Sequence, residues 1–265
     1  MPQMDADVLQ TDPPTPVGIH ISRGVRMRIP PSGLVIGETR AEITRVELQL
    51  DSCVHWLEIA LEHLAAARSA HSAIAEAKQS GNDFSGLLDR EFKSSVQAAV
   101  AAATFFEALY AATLDRVPKK QTSSILGNRR RRSRYARIAE QLRMSFGLRK
   151  HGTASLRRVL RHVYMFRDEA VHPSSTFGEP VLHPQLQVGV ERRFAMFDYD
   201  NARELVRAAL AFSKILPSRD MSEKPKAMQE LATYLLEVCA PLYVVWEKTY
   251  GALLDEVPTA TNDNV

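Results

Sequence analysis

Apolar residues recur every three or four positions over long stretches of this sequence, and this spacing restricts the folds open to the chain. Such a period places apolar side chains along one face of an α-helix. A second stretch, residues 96–112, is rich in alanine and apolar on nearly all sides, which is typical of a helix buried between other helices. The sequence therefore predicts an all-α protein. The first run comprises Ile43, Val46, Leu50, Cys53, Leu57, Leu61, Leu64 and Ala67.

The predicted architecture is an antiparallel bundle of five to six helices that begins with a long N-terminal helix. Pro241 lies inside the last predicted helix and predicts a kink there. A small β-hairpin that turns at Arg23-Gly24 is predicted near the N-terminus, and a short strand is predicted near residues 186–190. The predicted helices span residues 38–78, 87–115, 129–146, 153–172, 201–216 and 224–254.

The predicted domain organisation follows from these patterns. Residues 1–37 are expected to be disordered or to form the small hairpin, because the first sixteen residues are polar and rich in proline. Residues 38–256 are expected to form a single helical domain. Residues 257–265 are expected to be a disordered tail.

Charge is distributed very unevenly along the chain. Residues 117–167 hold fifteen Lys or Arg residues and one acid, Glu140, although the net charge of the whole chain is only +3. A chain that concentrates positive charge in this way favours a polyanionic partner. We therefore expect RNA or a nucleotide to bind this segment. The candidate phosphate-binding residues are Arg129, Arg130, Arg131, Arg132, Arg134, Arg137, Arg157, Arg158 and Arg161.

Composition also predicts the cellular compartment. The two cysteines, Cys53 and Cys239, lie in apolar helical patterns and are expected to be buried thiols in a reducing environment. The N-terminus has acids and prolines where a signal peptide has a basic and then an apolar region. No stretch approaches the roughly 18 uninterrupted apolar residues that a membrane span needs. The sequence therefore predicts a cytoplasmic protein without a membrane partner.

One short constellation carries the chemistry that the sequence suggests. Arg167 and His172 lie at the end of the fourth predicted helix, and Pro173 follows. Five positions on an ideal helix turn the two side chains roughly 140° apart. A proline disfavours helical backbone at the residue before it, so His172 is expected to leave the helix and swing its ring back. Asp168 is expected to hold the arginine or a partner histidine in place.

These side chains suit cleavage of RNA without a metal. Histidine moves protons near neutral pH, and it can take the proton of a 2′-hydroxyl or deliver one to the leaving oxygen. The guanidinium group of Arg167 matches phosphate oxygens and can stabilise the charge of a phosphorane. The predicted catalytic residues are therefore Arg167, His172 and Asp168, with no metal and no cofactor.

The segment Phe166-Arg167-Asp168-Glu169-Ala170-Val171-His172 resembles the Arg–polar–x3–His signature of the HEPN (higher eukaryotes and prokaryotes nucleotide-binding) domain family. The all-helical pattern and the alanine-rich helix before the motif are also similar to that family, over residues 38–216. Many HEPN domains are metal-independent ribonucleases, often toxins or antiviral effectors, whose sites pair two motifs across a homodimer interface. The resemblance thus implies catalytic roles for Arg167 and His172, a homodimer, and an antitoxin or regulatory protein as a further partner.

This chain departs from the commonest form of the signature in two ways. The position after the arginine holds Asp168 rather than asparagine, a variant that occurs in the family. The long first helix, the proline-containing insert after His172 and the last helix exceed a minimal HEPN domain. These additions leave the oligomeric arrangement open.

Two other interpretations fit the same residues. A non-catalytic module of the same fold would use Arg167 and His172 to grip a phosphate. A helical scaffold would have Arg167 tied to Asp168 or Glu169. Three histidines, His55, His63 and His71, recur every eight residues along the first predicted helix. Each step rotates the side chain by about 80° around the helix axis, so the three do not form a metal-binding site. His183, which also precedes a proline, is expected to be a loop residue, with a second proton-transfer group as the alternative.

Overall fold

The structure is a computed structural model that describes residues 19–36, 41–43, 45–118, 133–172 and 176–254. The described chain is mostly helical, with a few short strands, and the all-α prediction is confirmed. The chain divides into two compact units, Met1–Leu50 and Asp51–Val265. All of the candidate site residues belong to the second unit.

The first unit holds four short strands, β1 (Val25–Arg28), β2 (Leu34–Ile36), β3 (Ala41–Ile43) and β4 (Glu47–Leu50). Strand β1 pairs antiparallel with β4, and β2 pairs antiparallel with β3. The predicted hairpin at Arg23-Gly24 is therefore wrong in its pairing. Its second arm does form β1, but residues 19–22 form no strand and the partner of β1 comes much later in the chain.

The predicted start of the first helix is also wrong. The helix was expected from residue 38, but β3 and β4 occupy part of that stretch and the helix begins at Cys53. Val46, Leu48 and Leu50 alternate with polar residues, and this period of two is that of a strand. The same apolar residues also fit a spacing of three or four, so the pattern was compatible with both structures.

Seven helices are described in the second unit, and we number them in chain order. Helices α2 and α6 match their predicted bounds to within two residues, whereas α4 begins at Lys150, earlier than predicted. The short helix α5 was not predicted. The helices are α1 (Cys53–Gln79), α2 (Ser85–Leu114), α3 (Arg134–Phe146), α4 (Lys150–Val171), α5 (Arg192–Met196), α6 (Tyr199–Ile215) and α7 (Lys226–Tyr250).

Helix α2 lies at the centre of the core. It packs against α1, α3, α4 and α6. Its small side chains let these neighbours approach closely, and five of its alanines are at most 1% exposed. Phe105 and Phe106 add fully buried rings, each of which contributes about 2 kcal/mol through burial. The predicted burial of the alanine-rich helix on several sides is confirmed. The five alanines are Ala98, Ala99, Ala101, Ala102 and Ala103.

The same helix is long and apolar enough to span a membrane by length and composition. An 18-residue window of α2 reaches a mean hydropathy of 1.2, and 61% of that window is buried inside the protein. Burial against the other helices accounts for its apolar surface, because core helices have the same composition.

Both cysteines are buried and free, as predicted. Cys53 begins α1 and Cys239 lies in α7. Burial raises the pKa of the Cys53 thiol to about 12. A thiol in this environment stays protonated at neutral pH and is a poor nucleophile.

Between α4 and α5 the chain forms a small hairpin of two strands, β5 (Val181–Leu182) and β6 (Gly189–Val190), which pair antiparallel. The predicted strand near residues 186–190 corresponds to β6. Lys78 of α1 donates hydrogen bonds to the carbonyl oxygens of Gln185 (3.2 Å) and Leu186 (3.1 Å), and so ties the hairpin to the end of α1.

Candidate functional site

One side of α4 faces solvent from its middle to its C-terminal end. At 100° per residue, five exposed positions fall within an arc of about 80°. We call this set the α4 face. It joins two arginines, a methionine and a carboxylate to the histidine that ends the helix. Its members are Arg158, Arg161, Met165, Asp168 and His172.

Arg167 starts on a different side of α4 but reaches toward this face. Its Nη1 donates a hydrogen bond to Asp168 Oδ1 at 2.8 Å, and the side chain of Arg167 is 41% exposed. Because Asp168 belongs to the α4 face, this contact links Arg167 to that face. The predicted contact between Asp168 and Arg167 is present. It is also the contact expected of a scaffold, in which the carboxylate simply neutralises the arginine.

His172 lies just beyond the last helical residue. Its backbone leaves the helix, with φ −128° and ψ 60°, as the following proline predicts. Its N–H still donates to the carbonyl oxygen of Asp168 at 2.9 Å, which fixes the turn. The imidazole is exposed and makes no hydrogen bond to a side chain in the described part of the chain. A histidine held by its backbone with a free ring is available for proton transfer.

A second polar group lies behind Arg167, where α4 meets α2 and α3. Glu107 of α2 accepts hydrogen bonds from Arg134 Nε of α3 (2.9 Å) and from the hydroxyl of Tyr164 (2.6 Å), one turn before Arg167. The guanidinium of Arg134 also lies 4.6 Å from the centre of the Tyr110 ring. Glu107 therefore fixes α3 and α4 against α2.

The pKa of Glu107 reflects the groups around it, and the charge of Arg167 is the smallest of these influences. Burial alone raises the pKa of the Glu107 carboxyl, but the hydrogen bonds from Arg134 and Tyr164 and the charges of Arg134 and Arg167 outweigh it and hold the pKa below its ordinary value. Burial and the Glu107 carboxylate together raise the pKa of Tyr164. Glu107 is thus an anion that Arg134 and Tyr164 hold in place.

The predicted phosphate-binding arginines fall into three sets. Arg129, Arg130, Arg131 and Arg132 lie outside the described residues. On α3, Arg134 is held by Glu107 and Arg137 is half-buried. On α4, the remaining three are exposed and form no ion pair with a described residue; Arg157 also borders a cleft of about 300 Å³ between α3 and α4. We call these three the basic row: Arg157, Arg158 and Arg161.

A second set of charged residues is buried far along the sequence from the motif. Glu91 of α2 is 1% exposed, and its Oε1 contacts His71 Nδ1 at 2.7 Å and accepts the backbone N–H of Tyr199 at 2.9 Å. His183 is fully buried next to them, and the Leu186 N–H donates to its Nδ1 at 3.3 Å. Asp198 caps α6 by accepting the Asn201 N–H. We call Glu91, His71, His183 and Asp198 the Glu91 cluster.

Burial perturbs this cluster strongly. The hydrogen bond of His71 to the Glu91 carboxylate raises the pKa of His71, whereas burial lowers the pKa of His183. Burial also raises the pKa of Asp198 to about 6. The prediction that His183 is a loop residue is confirmed, since it lies in the turn of the β5–β6 hairpin, and its side chain is fully buried there. A fully buried ring has no access to a substrate.

Among the described residues, no group of three or more His, Cys, Asp or Glu side chains could hold a metal ion. Comparison of the chain with protein-family models, with curated proteins and with solved structures finds no match.

The sequence did not single out Glu107, Tyr164 or Glu91. Glu107 is the only acid in residues 96–112, the alanine-rich core of α2. A lone carboxylate in such a helix must find a buried partner, because an unpaired buried charge is very costly. The isolation of Glu107 among apolar residues was therefore the sequence feature that could have identified it. No comparable signal marked Glu91, since its partners come from α1 and α6.

Proposed function

We propose that this chain is a metal-independent endoribonuclease of the HEPN type. The observation that carries the proposal is the α4 face, on which the exposed arginines Arg158 and Arg161 lead along one helix to Asp168 and to the exposed imidazole of His172. Neither the two arginines nor the imidazole has a side-chain partner among the described residues. Arginines that match phosphate oxygens, next to a group that transfers protons, are the parts that RNA cleavage requires.

In this proposal the basic row holds the RNA backbone and the motif performs the chemistry. The ring of His172 carries out one of the two proton transfers, either removing the proton of the 2′-hydroxyl or protonating the leaving 5′-oxygen, and solvent water carries out the other. The 2′-oxygen attacks the adjacent phosphorus, and the products are a 2′,3′-cyclic phosphate and a free 5′-hydroxyl. Arg167 stabilises the added negative charge on the phosphorane. Asp168 orients Arg167 through their hydrogen bond and does not touch the substrate.

We further propose that two copies of the chain assemble into the active form, each an antiparallel helical bundle. Met165 is 51% exposed and Val171 is 41% exposed, and both lie beside the motif on α4. Apolar side chains exposed next to a polar site are typical of interaction surfaces. A second copy packed on this region would bring two Arg167–His172 pairs together and exclude water from them. The same surface could be covered by an inhibitory partner protein in the cytoplasm.

One observation favours a second function, a non-catalytic RNA-binding module. The ion pair between Arg167 and Asp168 compensates part of the arginine charge in the single chain. If it persists when RNA is bound, Arg167 has less charge to offer a phosphorane, and the α4 face would grip phosphates without turnover.

The test is cleavage of a labelled mixed-sequence RNA in excess EDTA by the wild type and by His172→Ala. We expect the wild type to release fragments with 2′,3′-cyclic phosphate ends, and His172→Ala to be slower by about a thousandfold, because it lacks the proton-transfer group. Because His172 is exposed, we expect His172→Ala to fold with nearly the stability of the wild type. Equal cleavage by both proteins, or cleavage that EDTA abolishes, contradicts the proposal; binding by both without cleavage favours the second function.

A further inference from the structure

A cleft of about 650 Å³ opens beside the C-terminal end of α4 and takes no part in the chemistry proposed above. Glu169, which lies between Arg167 and His172 in sequence, contributes one wall. Residues 176–179 contribute a second wall, and Glu191, Arg192 and Arg193 at the start of α5 contribute the third. A volume of this size accommodates a nucleotide.

The charged side chains of the cleft are paired, with one exception. Arg192 Nη2 lies 3.2 Å from Glu169 Oε2, and Arg193 Nε lies 3.1 Å from Glu191 Oε1. Glu191 is further occupied by the backbone N–H of Arg193, at 2.9 Å. Glu179 is exposed, lines the cleft and has no ion-pair partner among the described residues. The cleft therefore presents one uncompensated carboxylate with two free oxygens.

The same wall carries an aromatic ring. Phe177 is fully exposed, two residues before Glu179. A phenylalanine that buries none of its ring forgoes the stabilisation that such side chains usually supply to a fold. Exposed aromatic rings at the edge of a cleft are the platforms on which single-stranded RNA bases stack.

We propose that this cleft binds one unstacked base of the RNA and prefers guanine; the proposal rests on the RNA-binding function argued above. Guanine presents two neighbouring donors, N1–H and N2–H, which match the two oxygens of the Glu179 carboxylate. Its O6 and N7 are acceptors that match an arginine. Nη2 of Arg192 contacts Glu169 and Met196, and among the described residues its Nε and Nη1 make no hydrogen bond or ion pair, so their N–H groups can donate to the base. Phe177 stacks on the base. Adenine, cytosine and uracil do not offer this pair of donors beside acceptors.

The test measures binding rather than cleavage, so that it stands apart from the ribonuclease assay. His172→Ala protein is titrated with fluorescent uridine oligonucleotides that carry one central guanosine, inosine, adenosine or uridine, and affinity is read by anisotropy. Inosine lacks only the N2 amino group of guanosine. We expect the guanosine oligonucleotide to bind about tenfold more tightly than the inosine one.

Two variants in the His172→Ala background locate the preference. Glu179→Gln should abolish the difference between guanosine and inosine, whereas Glu237→Gln, which removes the same charge from an exposed position on α7, should preserve it. Phe177→Ala should weaken the binding of all four oligonucleotides by about tenfold, because every base stacks on a ring.

Equal affinity for guanosine and inosine overturns the proposal, and so does a loss of preference in Glu237→Gln as large as in Glu179→Gln. Failure of all four oligonucleotides to bind overturns it as well. If the wild type cleaves RNA but guanosine and inosine bind equally well, the ribonuclease proposal stands and the proposed guanine-binding role of the cleft is wrong. If guanosine binds more tightly but the wild type does not cleave RNA, the guanine-binding role of the cleft stands and the ribonuclease proposal is wrong.

Discussion

The Glu91 cluster and the α4 face both bring histidine together with carboxylate, yet they differ in every physical respect. The Glu91 cluster is mostly buried, Glu91 itself bonds to His71 of α1 and to the backbone N–H of Tyr199 in α6, and burial raises the pKa of Asp198. The α4 face is exposed and is built on one helix, and its arginines and imidazole have no side-chain partner among the residues that the structure describes. Displaced pKa values often mark functional sites, but structural networks displace them too. Access to solvent, not the size of a pKa shift, separates the two regions here.

The largest effect that we expect distinguishes the role of Arg167 from that of its neighbour. Arg167→Ala should lower the cleavage rate by about a thousandfold, because it removes the group that stabilises the phosphorane. Asp168→Asn keeps an oxygen that accepts the hydrogen bond from Arg167, and it should stay within about tenfold of the wild type. Single-turnover cleavage rates measure both. An increase of cleavage in Asp168→Asn would mean that Asp168 merely neutralises Arg167, as in a scaffold.

The Glu91 cluster should respond in stability and not in RNA binding. Glu91→Ala leaves the ring of His71 and the N–H of Tyr199 without their buried acceptor, and we expect a loss of about 3 kcal/mol in the free energy of unfolding. Urea denaturation measures the loss, and RNA affinity of the folded fraction should be unchanged. If Glu91→Ala has normal stability but no longer binds RNA, the Glu91 cluster, and not the α4 face, is the RNA-binding site.

The basic row should respond in RNA binding and not in stability. Replacing Arg157, Arg158 and Arg161 together with glutamine should weaken RNA binding about thirtyfold and reduce the slope of log affinity against log salt concentration by about 2, as expected for three phosphate contacts to single-stranded RNA. The melting temperature should barely change because all three are exposed.

A matched variant controls this measurement. Arg90, Arg219 and Lys248 are exposed on other parts of the second unit, and their joint replacement with glutamine makes the same change in net charge. We expect it to alter the affinity and the salt slope much less. Equal effects of the two triple variants would show that RNA responds to net charge alone.

The smallest expected effect concerns the pH dependence of the Glu91 cluster. The pKa of Asp198 is about 6 in the folded chain and 3.8 in an ordinary aspartate, so the folded state takes up this proton first. Asp198 therefore adds stability as the pH falls through 6, and that stability is lost as the pH rises through the same value. Between pH 7 and pH 5 the wild type should gain about 1 kcal/mol relative to Asp198→Asn, which retains a capping oxygen.

Thermal unfolding between pH 7 and pH 5 tests whether Asp198 increases or decreases the stability as the pH falls. His71, whose pKa is raised, acts in the same direction as Asp198, and His183, whose pKa is lowered, acts against both. The difference between wild type and Asp198→Asn isolates the aspartate from the two histidines. Parallel curves for the two proteins would contradict the assignment of a raised pKa to Asp198.

The sequence predicted what depends on local pattern. The helical period, the buried alanines of α2 and the departure of His172 from the helix before Pro173 all follow from neighbouring residues. The strand β4 was mistaken for helix because Val46 and Leu50 fit either period and its partner β1 lies some twenty residues away. A sequence does not reveal which distant segment supplies a partner strand.

The same limit applies to the site. The motif on α4 could be predicted because its members are close in sequence and a helix fixes their spacing. The anchor of Arg134 and Tyr164 on Glu107, and the burial of His183 beside Glu91, depend on how α2, α3, α4 and the β5–β6 hairpin pack. These contacts join residues far apart in the chain, and they divide the predicted arginines into structural and exposed sets.

The central claim is that the α4 face cleaves RNA through the 2′-hydroxyl, and a single substitution in the substrate tests it most directly. Once the wild type's preferred cleavage position is mapped, the same oligonucleotide is made with a 2′-deoxy sugar on the 5′ side of that bond. We predict that it binds as tightly as the all-ribose oligonucleotide and is not cut at that bond. Cleavage of the deoxy oligonucleotide at the same position would contradict the account, because its attacking oxygen would be missing.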